Sequence, residues 1–128
     1  MSTAKTPLIP SGMDGDHIEA FTHGWCWNLA LELASRGGFH LVGIVTGNGV
    51  VQHVAVMQAG GFVLDIEGLW NAEEWQAAWS YSMDLPVAVR FVTEADMHPD
   101  QIEGLEDTEW DGRSITQIAD QLLQHLGI

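Results

Sequence analysis

Cysteine is nearly absent from this chain, with one residue, Cys26, in 128. A lone cysteine closes no internal disulfide, which fits a reducing compartment or a thiol kept for chemistry. It also leaves a structural zinc site short of thiolate ligands. Basic side chains are almost as scarce: four lysines and arginines stand against 18 acidic residues, a net charge of −14. Such a chain repels nucleic acid and anionic membranes. No apolar run approaches the roughly 18 residues that a membrane span requires. The start, Met1-Ser2-Thr3-Ala4-Lys5-Thr6-Pro7, lacks the basic-then-apolar order of a signal peptide. These absences predict a cytoplasmic protein with no direct nucleic-acid or membrane binding. His17, His23, His40, His98 and His125 show no metal-ligand spacing, and Gly47-Asn48-Gly49 lacks the lysine and helix of a phosphate loop. No metal and no cofactor are therefore expected.

Apolar material is plentiful. Hydrophobic residues make up 46% of the chain, and six tryptophans add large rigid area for a core. The length fits one domain. Pro7, Pro10, Ser11 and Gly12 break any periodicity in residues 1–12, which read as a flexible leader before a single domain over residues 13–128.

Within that domain, Asp14 or Asp16 is placed to cap a short helix over Ile18 to Phe21. A second helix is predicted from Trp25 to Arg36, because Cys26, Leu29, Ala30 and Leu33 recur at helical spacing before the Gly37-Gly38 stop. Phe39–Thr46, Val50–Gln58 and Phe62–Glu67 read as a three-stranded antiparallel meander, turned at Asn48-Gly49 and Gly60-Gly61. Asn71 followed by Glu74 suggests a capping box for a helix from Ala72 to about Tyr81. Pro86–Val92 is a fourth strand. Residues 93–112 carry eight acids and no lysine or arginine, and read as mostly acidic loop with at most a helical turn. Ser114 caps a last helix with Ile115, Ile118, Leu122 and Leu126 as its buried stripe. The predicted class is α+β: an N-terminal helix carrying the cysteine, packed on an antiparallel sheet of about four strands, plus two further helices.

This arrangement places chemistry at one helix and one hairpin. A thiol at the start of a helix feels the positive end of the dipole and nearby free N–H groups, which favour thiolate. His53 lies on the second strand of the meander and Asp65 on the third. A hairpin pairing positions that sum to about 119 makes them near cross-strand neighbours. An aspartate among Phe62, Val63, Leu64 and Ile66 needs a partner, and a histidine supplies one. Cys26, His53 and Asp65 thus form a candidate catalytic triad of nucleophile, base and orienting carboxylate. His23, Trp25 and Trp27 are candidates for lining the site. Trp70, Trp75 and Trp79 read as core.

Gly24-Trp25-Cys26-Trp27-Asn28-Leu29-Ala30, with the hairpin from His53 to Asp65, resembles the papain-like and transglutaminase-like superfamily of thiol enzymes over roughly residues 22 to 70. The resemblance implies a cysteine at the start of a core helix, with histidine and then aspartate on adjacent strands. It implies a peptidase, an amidase or deamidase, or a transglutaminase-like enzyme acting on a protein or peptide. The chain departs from the pattern where no glutamine precedes Cys26 and no proline follows Asp65. The alternative reading is an acidic binding or inhibitor module, of the phage or bacterial kind, whose vestigial triad accompanies a surface that masks a basic, nucleic-acid-binding partner. Trp110, with Glu106, Asp107 and Glu109 around it, is the candidate contact for that partner.

Overall fold

In the computed structural model of the chain, residues 6–7, 25–58, 60–66, 68–105, 109–110 and 113–126 are described. The short helix expected over Ile18 to Phe21, and the character of residues 8–12 in the expected leader, lie outside them.

Two close turns build the sheet. Gly49, at φ 83°, lets the chain reverse between β2 (Phe39–Thr46) and β3 (Val51–Gln58). The turn is tied by Gly49 N–H to Thr46 O at 2.8 Å and Thr46 N–H to Val50 O at 3.0 Å. Gly60 and Gly61, at φ 99° and 83°, reverse it again into β4 (Phe62–Asp65). A third reversal at Gly68 leads into β5 (Gly68–Asn71). With β1 (Thr6–Pro7) beside β5 and β6 (Val87–Phe91) beside β2, the order is β1-β5-β4-β3-β2-β6. Every pairing is antiparallel.

Helices cover both faces. Helix α1 (Cys26–Ala34) buries Cys26, Leu29, Ala30 and Leu33, the stripe its spacing predicts, against Val54, Val56, Leu64 and Ile66 of the sheet. Helix α4 (Ile115–Leu126) joins the same layer through Ile118, Ala119 and Leu122. Its start is a reciprocal cap: Gln117 N–H donates to Ser114 Oγ, and Ser114 N–H donates to Gln117 Oε1. The opposite face carries helix α2 (Ala72–Met83), which lays Trp75 and Trp79 over Val42, Ile44, Ala55 and Val63. Asn71 caps α2 by accepting from the Glu73 N–H at 2.9 Å, and Asp84, at φ 55°, ends it.

The α+β class and the antiparallel sheet are as predicted, but the strand and helix counts are not. The expected four strands gain β5 and the two-residue β1. Segment β5 opens on a glycine and ends in a helix cap, so four residues carry no visible alternation. Among the described residues the expected two further helices are three. Within the acidic stretch, Thr93 caps a 3₁₀ turn (Glu94–Asp96), and α3 (Pro99–Gly104) follows. A small hairpin of β7 (Glu109–Trp110) and β8 (Arg113–Ser114) leads into α4. That stretch is therefore more structured than its charge suggested. Among the described residues no helix is long and apolar enough to cross a membrane.

Candidate active site

Two irregularities in β3 create the site. The first is a register shift. Ile44 pairs with His53 while the next residue, Val45, pairs with Val51, so Gln52 is the extra residue of a β-bulge. Val51 packs with the α1 layer, whereas His53 meets the tryptophans of α2. Without the bulge, two residues so spaced share one face. The second is an early end to the β3–β4 ladder. Its pairs are Gln58–Phe62, Met57–Val63 and Val56–Leu64, all summing to 120, and none lies beyond Val56.

This corrects the expected register, which summed to about 119 and made His53 and Asp65 ladder neighbours. The strands have parted before reaching them, and their side chains meet across the opening.

Helix α1 points its first residue at that opening. Cys26 belongs to the α1 layer, and His53 and Asp65 meet the α2 layer, so the thiol and the imidazole meet through the plane of the sheet. The interstice between Cys26, Leu29, Val54, Leu64, Asp65 and Ile66 is too narrow to hold a water molecule. Cys26 keeps 6% of its surface exposed, His53 1% and Asp65 4%.

The Cys26 sulfur lies near enough to the His53 side chain, and to the backbone of Val54 and Trp27, for each to lower its pKa. His53 Nε2 lies 3.3 Å from Asp65 Oδ2. The far end is fixed by two indoles: Trp70 Nε1 donates to Asp65 Oδ1 and Trp75 Nε1 to Oδ2, each at 3.1 Å. Trp79 stacks on the His53 ring, with centroids 4.7 Å apart and planes 21° from parallel.

Electrostatics follow from that chain. Burial pushes the Cys26 thiol up, but the hydrogen bond and charge of His53, with the Val54 and Trp27 backbone groups, bring it below its ordinary value. Burial likewise pushes His53 down, but the Asp65 hydrogen bond and the Cys26 sulfur raise it to about 10. Both shifts favour thiolate beside imidazolium.

The other candidates divide. Trp25 is the N-cap of α1, half-buried against the Cys26 layer, with no side-chain capping bond. Trp27 is 2% exposed; its backbone serves the sulfur, and its indole Nε1 is a buried donor with no partner among the described residues. Trp27 belongs to the core cluster, and Trp25 packs against it. His23, Glu106 and Asp107 lie outside the described residues. Glu109 is exposed on β7, and only the backbone of Trp110, beside it, is described. Among the described residues no group of three or more histidine, cysteine, aspartate or glutamate side chains gathers to hold a metal ion.

Sequence reasoning missed the roles of Trp70, Trp75 and Trp79. Core placement explains their bulk, yet one signal pointed further. A buried carboxylate among apolar neighbours demands donors, and Trp70 and Trp75 bring N–H groups to the strand and helix that follow it. Comparison with protein-family models, curated proteins and solved structures gives no match.

Proposed function

We propose that this protein is a thiol-dependent acyl-transfer enzyme using a Cys26–His53–Asp65 triad on a papain-like or transglutaminase-like core. The observation that carries this reading is a buried imidazole held 3.3 Å from a carboxylate fixed by two indoles, with the side chain of the lone cysteine near enough that thiol and imidazole shift each other's pKa. A buried histidine–aspartate pair serving packing alone has no need of a thiol beside it.

The chemistry follows from the roles. The Cys26 thiolate attacks an amide or ester carbonyl, forming a C–S bond as the carbonyl π electrons move onto oxygen. The backbone N–H of Cys26, in the first turn of α1, is the candidate donor to that oxyanion. The C–N or C–O bond then breaks, and the leaving group takes the proton from the His53 imidazolium. A second nucleophile attacks the thioester, His53 accepts its proton and thiolate departs. Water as acceptor gives a peptidase, amidase or deamidase, and an amine gives transglutamination. Asp65 holds the ring orientation throughout. With a net charge of −14, the favoured substrate is a basic protein or peptide.

One observation favours a second reading, an acidic docking or inhibitor module with an unused triad: Cys26 keeps only 6% of its surface exposed. Iodoacetamide separates the two. A working site alkylates rapidly at neutral pH and below, and the labelled protein loses hydrolysis of fluorogenic peptide amides. A thiol that labels slowly, with an ordinary pH profile, rules out the enzyme.

A further inference from the structure

We infer that Trp70 and Trp75 are positioning residues of this site, their indole N–H groups fixing the carboxylate plane of Asp65 so that it holds His53 toward Cys26, with Trp79 clamping the ring. The inference rests on the acyl-transfer reading and assigns it three residues outside the triad.

The geometry is divided by oxygen. Trp70, on β5, takes Oδ1, and Trp75, in the first turns of α2, takes Oδ2, which it shares with His53 Nε2. Two donors on different oxygens, coming from different elements, define the plane of the carboxylate and stop its rotation about Cβ–Cγ. Trp79 follows Trp75 by one helical turn, so both reach the same side of α2. One orients the carboxylate, and the other stacks on the imidazole that the carboxylate holds. Phenylalanine would fill most of the same space, and leucine some of it. Neither supplies an N–H. The structure uses the indole nitrogens of both Trp70 and Trp75 on one buried acceptor, a stricter arrangement than packing requires.

The test reads the pH profile of Cys26 alkylation by iodoacetamide in wild type, Trp70→Phe and Trp75→Phe. Loss of an indole donor loosens Asp65, weakens the imidazolium and moves the acidic limb upward by about one pH unit, or about tenfold slower labelling on that limb. In an Asp65→Asn background the same tryptophan substitutions give no further shift, because the group they act through is gone. An unmoved limb, or an equal shift in both backgrounds, overturns the inference. Should either variant fail to fold, the wild type decides. Two of the six indole signals in nitrogen–proton correlation spectra move as the Cys26–His53 pair titrates, and an indole pattern indifferent to that titration also overturns the inference. An ordinary thiol profile in wild type defeats the acyl-transfer reading itself. A primed Cys26 that ignores both indoles defeats only the positioning role.

Discussion

His53 Nε2 approaches Asp65 Oδ2 to 3.3 Å although the two residues are not ladder partners. Their strands separate after Val56 and Leu64, and the gap so formed is where the first residue of α1 meets the sheet. A continuous ladder would have filled that gap with backbone hydrogen bonds and kept the thiol on its own side.

Replacing His53 removes the counterion of the thiolate. A free thiol near pKa 8.5 is less than about 1% ionised at pH 6. His53→Ala is therefore expected to slow iodoacetamide labelling at that pH by about a hundredfold, read by mass spectrometry over time. Equal rates in the two proteins would show that the imidazole does not activate the sulfur.

Stability should respond to pH in a defined window. The folded His53 value, about 10, lies above the unfolded 6.5, so its contribution is full below 6.5 and is lost as pH rises through 10. The folded Cys26 value lies below the unfolded 9.0, so its contribution is full above 9.0 and is lost as pH falls through the folded value. Between 9.0 and 10 the folded pair keeps one proton that the unfolded pair has lost, so stability falls as pH rises. Urea titrations should show that decline beginning near 9.0. In Cys26→Ser it should begin from 6.5, where the unfolded histidine titrates with no thiol to offset it. A variant whose decline still begins at 9.0 contradicts the assignment.

Asp65 anchors three N–H donors at 4% exposure. Asp65→Asn turns one acceptor oxygen into an NH₂ group facing donors. Breaking a buried charged pair in this way is expected to cost about 3–5 kcal/mol in urea unfolding. A loss under about 1 kcal/mol would mean that the carboxylate is not the hub described.

Gly43 faces the same layer as Val51. A Cβ there would stand 2.9 Å from Val92 Cγ1 and 3.3 Å from Val51 Cγ1, and both neighbours are β-branched and stiff. Gly43→Ala should destabilise the fold by about 1–3 kcal/mol. Because Val51 leads directly into the bulge beside His53, the substitution should also slow Cys26 labelling. Thermal unfolding and alkylation on one sample test both effects, and an alanine variant matching wild type in each would show that β2 yields freely.

The sequence by itself determined the local elements and the cast of the site. Helical spacing places Cys26, Leu29, Ala30 and Leu33 on one buried stripe, and glycine turns set the hairpins, because both depend on near neighbours and backbone sterics. The need of a buried carboxylate for a partner linked Asp65 to His53. Only the tertiary structure decided how they meet. The bulge at Gln52 and the end of the ladder at Val56 depend on how α1 and α2 press on opposite faces of the sheet. The indoles of Trp70 and Trp75 found Asp65 through packing between elements, a contact that no local spacing encodes.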